Sequence, residues 1–206
     1  MKQYATEQED FWAGQFGDEY IGRNQGEEVL ASKIGFWSRI VHSGGMITSC
    51  LELGPNIGLN LKALGTLLPH LQMTGVEINA KAAKECAKLE RVKVVNASIL
   101  EYDSDELFDL TFTSGVLIHI KPDMLPTVYD VLYKHSRKYI LVAEYYNPTP
   151  MEVNYRGNQE NLFKRDFAGE IMDRWPTLKL VDYGFQYHRD NHFPQGDITW
   201  FLMAKD

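Results

Sequence analysis

The chain has 206 residues, of which 44% are hydrophobic and 24% are charged, and these values fit one globular domain with a substantial core. The formal net charge of −7 argues against a nucleic-acid backbone as the main partner, because phosphate binding needs concentrated lysine and arginine. We find no apolar run near the roughly 18 residues of a membrane span, and the N-terminal residues are too polar for a signal peptide. Cys50 and Cys86 form no disulfide framework or zinc pattern, and the histidines are scattered, so we expect a cytoplasmic protein without a metal site.

Strand and helix patterns alternate along most of the chain, after an N-terminal segment (residues 1–24) in which aromatic side chains mix with acids and glycines. A helix is predicted at 27–41, from apolar positions at helical spacing. The further predicted helices are 58–68, 80–89, 122–135 and 164–173, and the predicted strands are 47–53, 73–78, 92–95, 108–113, 139–144, 178–184 and 198–204. This alternation predicts an α/β fold with a mainly parallel sheet, helices on both faces and a C-terminal antiparallel hairpin.

The stretch from Ser49 to Gly58 is the most informative local pattern. An apolar strand ends at Glu52 and is followed by a tight turn between Gly54 and Gly58, after which a helical pattern begins. A strand, a glycine-bearing loop and a helix N-terminus form a cradle for a ligand that needs close backbone approach and hydrogen-bond donors. The stretch therefore predicts a ligand site at this strand end.

Glu77 lies at the end of the next predicted strand, at an interval from Gly54 that fits one helix and a return strand. A carboxylate at this position can accept the hydroxyl protons of a ribose, so a nucleoside-like cofactor is favoured. A nicotinamide fingerprint would require glycine at positions 56 and 59, where the chain has Asn56 and Leu59. A dinucleotide oxidoreductase is therefore disfavoured.

The loop resembles motif I of the class I S-adenosylmethionine-dependent methyltransferases, with Glu52, Gly54, Asn56 and Gly58 at the motif positions. Asn56 replaces the middle glycine, and Asn is the non-glycine residue that best tolerates positive φ. The resemblance covers roughly residues 25–206 and implies a Rossmann-like seven-stranded fold and S-adenosylmethionine as cofactor. It also implies that Glu77 and Ile78 contact the ribose and that Ser98 and Ile99 contact the adenine, although Ser98 stands where the family often has Asp. A loop near the methionine moiety would be formed by Ser114, Gly115 and Val116.

Methyl transfer needs mainly orientation, and a base helps when the acceptor is a hydroxyl or a protonated amine. His119 follows the fourth strand near the expected donor and is the first candidate base, although it could instead brace the helix that follows. Tyr145 begins a loop at the end of the fifth strand and is the second candidate. Tyr155, His188 and His192 are weaker candidates, and the segments near 145–163 and 185–197 are expected to face the substrate.

The N-terminal segment resembles the start of a small methyltransferase group associated with pseudaminic acid biosynthesis. This resemblance implies that residues 1–24 cover the site, that Arg23 reaches the cofactor carboxylate, and that Trp12 or Tyr20 lies over the cofactor. The aromatic residues could equally pack only on the core.

We therefore expect a covering segment at 1–24 and a single methyltransferase domain at 25–206 that acts on a small polar acceptor. A nonulosonic sugar or its precursor is the favoured substrate class. The alternatives are a methyltransferase for another small molecule or a protein side chain, and a catalytically silent module that only binds S-adenosylmethionine. The sequence leaves the acceptor atom and the oligomeric state open.

Overall fold

A computed structural model describes residues 4–23, 26–153 and 162–206. Its main sheet contains seven strands, which run in the order β3-β2-β1-β4-β5-β9-β8. These strands are β1 (Ser49–Leu53), β2 (Gln72–Val76), β3 (Val92–Val95), β4 (Phe108–Ser114), β5 (Ser136–Glu144), β8 (Lys179–Gln186) and β9 (Ile198–Ala204). The first five are mutually parallel, while β9 pairs antiparallel with both β5 and β8, as the sequence predicted.

Seven α-helices lie in the described ranges: α1 (Glu7–Ala13), α2 (Gln15–Tyr20), α3 (Glu27–Ser43), α4 (Leu59–Leu67), α5 (Ala80–Cys86), α6 (Leu125–His135) and α7 (Phe167–Arg174). Single 3₁₀ turns occur at Ile21–Arg23, Ile99–Glu101 and Leu117–His119. None of the helices in the described ranges combines the length and apolarity that a bilayer crossing requires.

The sheet is buried on both faces, and its central strands β1 and β5 place apolar side chains toward both of them. Along β1, Leu51 and Leu53 pack into one hydrophobic cluster with residues of α6 and α7, whereas Cys50 packs into another with residues of α3 and α4. Along β5, Ile140 and Leu141 divide between the two clusters in the same way. This is the alternation of a parallel sheet that has helices on both sides.

Two predicted helices begin later than expected. α6 begins at Leu125, because residues 121–124 form a separate turn in which the Met124 N–H donates to the Lys121 carbonyl at 2.9 Å. α7 begins after Asp166, whose side chain accepts from the Gly169 N–H and caps the helix. The residues before this cap form β7 (Phe163–Lys164), which pairs with β6 (Met151–Glu152) inside the predicted 145–163 insertion.

The N-terminal segment forms two short helices that the sequence pattern did not predict. Thr6 caps α1 by accepting from the Glu9 N–H, and the Glu9 carboxylate accepts from the Thr6 N–H at 2.9 Å. This reciprocal pair is a capping box, which satisfies amide groups that a helix start leaves unpaired. The segment lies against the start of α5, where the Asp18 carboxylate contacts Lys81 Nζ at 2.5 Å and Asn79 Nδ2 at 3.0 Å.

Candidate functional site

A cavity of about 500 Å³ lies beyond the carboxyl ends of β1, β2, β4 and β5 and beneath α1 and α2. The sheet order reverses between β1 and β4 at this point, and open α/β sheets bind ligands at such a reversal. The predicted site residues that line the cavity are Trp12, Tyr20, Gly54, Asn56, Glu77, Ile78, Ser98, Ile99, Ser114, Gly115, Val116, His119 and Tyr145.

The β1–α4 loop is built from residues with left-handed backbone conformations. Gly54, Asn56 and Gly58 have φ values of 76°, 52° and 83°. A Cβ at Gly54 would lie 2.7 Å from a methyl group of Val116, so a side chain at this position would clash with the loop after β4. Asn56 adopts the positive φ that we expected of it, and its own Oδ1 accepts from the Ile57 N–H at 2.8 Å.

The Glu77 carboxylate joins two loops of the cavity. Its Oε2 accepts from the Asn56 N–H at 2.7 Å, and its Oε1 accepts from the Asn79 N–H at 2.8 Å. Burial raises the pKa of Glu77, while these N–H groups act in the opposite direction by stabilising the charged form. The carboxylate is therefore fixed in place, and its side chain lines the cavity.

Glu52 and Gly58 do not line the cavity, although both belong to the predicted motif. Glu52 is fully buried behind the loop, where its Oε1 accepts from Asn60 Nδ2 at 2.7 Å. Gly58 is the N-cap of α4, and a Cβ there would lie 2.7 Å from Cys86 Sγ on the side of α5. Both residues therefore support the loop from behind. Burial raises the pKa of Glu52 to about 7, and the nearby Lys33 partly opposes this shift.

Lys33 on α3 lines the cavity near this loop, and sequence reasoning missed it. The helical pattern of this segment lies in its apolar positions, which carry no signal for a polar side chain on the cavity side. Burial lowers the pKa of Lys33, and the Glu52 carboxylate opposes that effect. Arg23 was the predicted cation at this end, but its side chain lies outside the described part of the structure, as do Tyr155 and the rest of 154–161.

The N-terminal helix α1 brings a carboxylate to the segment after β3. The buried Ser98 hydroxyl donates to Glu9 Oε1, and Glu9 Oε2 accepts from the N–H groups of Ala5 and Thr6. Both Glu9 and Ser98 line the cavity beside Ile99. Sequence reasoning also missed Glu9, although the Thr-x-x-Glu capping signature was a signal that could have located it.

The turn after β4 is held from behind by Glu144, the last residue of β5. This buried carboxylate accepts from the N–H groups of Val116 and Leu117 at 3.0 and 3.1 Å, and from that of Ile118 at 3.4 Å. Burial raises its pKa to about 7, against the stabilising effect of these N–H groups. The turn ends at the buried His119, whose ring lies 4.7 Å from that of Trp12.

The loop between β8 and β9 closes the remaining side of the cavity through Pro194, Gln195 and Gly196. The predicted His188 and His192 are both exposed and do not line the cavity. His188 instead contacts the Asp197 carboxylate at 2.9 Å, which braces the loop. Among the residues that the structure describes, no group of three or more His, Cys, Asp or Glu side chains could hold a metal ion.

Solved structures with a similar architecture include several methyltransferases. The N-methyltransferase NodS from Bradyrhizobium japonicum WM9 superposes with a TM-score of 0.63 at 16% identity, over 91% of this chain and 98% of that one. Magnesium protoporphyrin IX methyltransferase from Synechocystis PCC 6803, with bound S-adenosylhomocysteine, gives a TM-score of 0.67 at 10% identity over 96% and 97%. The chain has the class I methyltransferase fold.

The plantazolicin methyltransferase BpumL, in complex with a desmethyl analogue and S-adenosylhomocysteine, has the same fold, with a TM-score of 0.64 at 11% identity over 96% of this chain and 94% of its own. No protein-family model matches the chain, and no curated protein has a significantly similar sequence. The methyltransferase fold is therefore supported by shape, at identities too low to carry a substrate from one protein to another.

Proposed function

We propose that the protein is a methyltransferase that uses S-adenosylmethionine as its methyl donor. The single observation that carries the proposal is the joined unit of Asn56 and Glu77, in which a left-handed loop residue donates its N–H to a buried carboxylate that lines the cavity. A carboxylate held in this way suits the two hydroxyl groups of a ribose. The methyltransferase fold and the position of the cavity at the sheet reversal support the same proposal.

The other lining residues fit the remaining parts of that cofactor. Ile78 and Ile99 offer apolar surface to an adenine ring, and Glu9 offers a carboxylate oxygen to its amino group. Lys33 offers a cation to the carboxylate of the methionine moiety, at the end of the cavity formed by the β1–α4 loop. The family often has Asp where this chain has Ser98, and Glu9 would supply the missing carboxylate. The hydrogen bond from the Ser98 hydroxyl to Glu9 holds that carboxylate beside the Ser98 position.

S-adenosylmethionine, when bound, supplies a methyl group that is already activated by the positive sulfur. The residues of this chain would then contribute orientation, exclusion of water and, where the acceptor requires it, removal of a proton. His119, at the end of the turn after β4, and Tyr145, directly after β5, line the cavity and are the candidate proton acceptors. Glu144 is a positioning residue, because it holds the backbone of the turn that carries His119.

We further propose that residues 1–24 form a cover over a single methyltransferase domain at 25–206. Support for the cover comes from the contacts of Trp12 with His119, of Glu9 with Ser98 and of Asp18 with Asn79 and Lys81. The proposed acceptor is a small polar molecule of the nonulosonic sugar class or a precursor of it. The resemblance of the N-terminal segment to the pseudaminic acid-associated group supports this class.

The acceptor proposal is tested by turnover. The protein is incubated with S-adenosylmethionine and a panel of free, carboxylated and nucleotide-linked sugars, and S-adenosylhomocysteine is measured. We expect turnover that depends on a carboxylated or nucleotide-linked sugar and falls strongly in His119→Ala or Tyr145→Phe. Binding of S-adenosylhomocysteine without turnover on any sugar in the panel would contradict the sugar acceptor.

A further inference from the structure

One end of the cavity differs in its chemistry from the rest. We define the acceptor end as the lining residues that follow β4 and β5 or precede β9, with His119, Lys121, Tyr145 and Gln195 as its polar members. The lining carboxylate Glu77 follows β2, three strand spacings from β5 and so about 14 Å away along the sheet. Glu9 lies farther still, beside the segment that follows β3. Among the described residues that line the acceptor end, none is acidic.

Two polar side chains at the acceptor end lack a charged or hydrogen-bonding partner within the described part of the chain. Lys121 is only partly exposed and forms no ion pair within the described part of the chain. Gln195 Nε2 is buried and has no hydrogen-bond partner among the same residues. Since a buried donor without an acceptor costs stability, such a group is expected to meet a ligand or water. The backbone of Gln195 is fixed, because its N–H donates to the Tyr187 carbonyl at 3.3 Å and its carbonyl accepts from the Asp197 N–H at 3.0 Å.

Lys121 is the only Asp, Glu, Lys or Arg among the described residues that line this end. Lys164 Nζ lies 5.3 Å from the centre of the Tyr145 ring, which adds positive charge behind the wall. Asp197 does not line the cavity; it is paired with His188 and also interacts electrostatically with Lys164, so it offsets part of the charge of that lysine. Glu144 is turned away from the cavity, and its carboxylate is occupied by backbone N–H groups of the turn after β4. The described lining of the acceptor end therefore offers one cation, several neutral hydrogen-bonding groups and no carboxylate.

We infer that the acceptor end is an anion subsite, in which Lys121 and the Gln195 amide receive an oxyanion group of the acceptor. The subsite takes carboxylate or phosphate oxygens, which accept both a cationic and a neutral donor. It disfavours acceptors whose nearby group is a cation, because Lys121 would repel that group. With the oxyanion held there, the rest of the acceptor lies against His119 and Tyr145.

This inference rests on the proposed function, so cofactor binding is measured first. Wild-type protein is titrated by calorimetry with S-adenosylhomocysteine, and failure to bind would overturn the proposed function itself. The saturated protein is then titrated with N-acetylneuraminate and with its methyl ester, a pair in which esterification removes the negative charge and adds one methyl group. A sugar 1-phosphate and inorganic phosphate form a second arm, which separates a preference for carboxylate from one for phosphate.

The expected result is that N-acetylneuraminate binds about tenfold more tightly than its methyl ester or that a phosphate probe binds, and that Lys121→Gln and Gln195→Leu both remove this anion binding. S-adenosylhomocysteine affinity should stay unchanged in both variants, which separates loss of the subsite from loss of folding. Lys62→Gln is the matched control, because Lys62 is an exposed lysine on α4 that does not line the cavity. Equal binding of the acid and the ester with no response to either phosphate probe, or a preference that survives Lys121→Gln, would overturn the inference.

Discussion

The Asn56 N–H donates to the Glu77 carboxylate at 2.7 Å, so the left-handed residue of the β1–α4 loop and the acidic residue after β2 form one unit. The bond orients one carboxylate oxygen, while the Asn79 N–H orients the other. Two loops that are distant along the chain are thereby held at one place in the cavity. The conformation of Asn56 and the position of Glu77 are consequently coupled.

The coupling predicts how substitutions of Asn56 behave. Asn56→Gly should retain stability and cofactor affinity, because glycine adopts the φ of 52° without strain and keeps the N–H. Asn56→Val should lower the free energy of unfolding by about 1–2 kcal/mol and weaken S-adenosylhomocysteine binding, since a β-branched residue is strained in this region. Urea unfolding and calorimetry measure the two effects. Equal stability of the two variants would contradict the role given to the loop.

Glu9 and Glu7 provide a matched pair on α1. Glu9→Ala removes the acceptor for Ser98 and for the amides at the helix start, so we expect a loss of about 1 kcal/mol in stability and weaker binding of S-adenosylhomocysteine. Glu7→Ala alters an exposed residue of the same helix and should change neither. Hydrogen exchange of the α1 amides and calorimetry report the two losses. The proposed adenine contact fails if Glu9→Ala and Glu7→Ala bind the cofactor equally well.

Lys33 is tested with two ligands that differ in one moiety. S-adenosylhomocysteine carries an amino-acid carboxylate, and 5′-methylthioadenosine lacks it. Lys33→Met should weaken the first ligand about tenfold and leave the second nearly unchanged, because only the first offers an oxyanion to the ammonium group. Calorimetry with both ligands makes the comparison. An equal loss for both would show that Lys33 acts on the fold of the cavity and does not contact the carboxylate.

Glu52 predicts a pH dependence of stability. Its pKa in the folded protein is about 7, above the ordinary 4.5, because burial disfavours the charged carboxylate. Between these values the folded state holds a proton that the unfolded chain has released, so the contribution of Glu52 to stability falls as pH rises through this window. Glu52→Gln keeps an acceptor for Asn60 and removes the charge. It should therefore be more stable than wild type at pH 8, by on the order of 3 kcal/mol at most, and by much less at pH 5.

Burial also raises the pKa of Glu144 to about 7, so the stabilities of the wild type and of Glu52→Gln both decrease with rising pH through Glu144. The difference between wild type and Glu52→Gln, measured by urea unfolding at each pH, therefore isolates Glu52. A difference that does not grow with pH would contradict the buried-carboxylate description.

The fold was predictable because its signal is repeated along the chain. Strand β1 places apolar residues toward both faces, as Cys50 and Leu51 illustrate, and strands alternate with periodic helical segments along most of the chain. The boundaries that differed were set by local contacts, such as the Asp166 cap of α7, which a periodic pattern does not record. The helices of the N-terminal segment were missed because they are too short to show a period, although the capping pair of Thr6 and Glu9 marked the first of them.

The candidate site was predictable where the backbone itself forms it. Asn56 and Glu77 were found because a turn and a strand end determine where they lie. Glu52 was expected beside the ligand and lies behind the loop, because the alternation of β1 directs its side chain into the protein interior, where it meets Asn60. Lys33 and Gln195 were missed because the direction of a side chain on a long helix or in a loop depends on tertiary packing.

The most direct test is calorimetry of the wild-type protein with S-adenosylhomocysteine, beside Glu77→Ala and His119→Ala. We predict that the wild type binds at micromolar concentration, that Glu77→Ala weakens binding strongly through loss of the ribose contacts, and that His119→Ala has a much smaller effect. The absence of binding by the wild type at high micromolar concentration, or unchanged affinity in Glu77→Ala, would contradict the assignment of this cavity to S-adenosylmethionine.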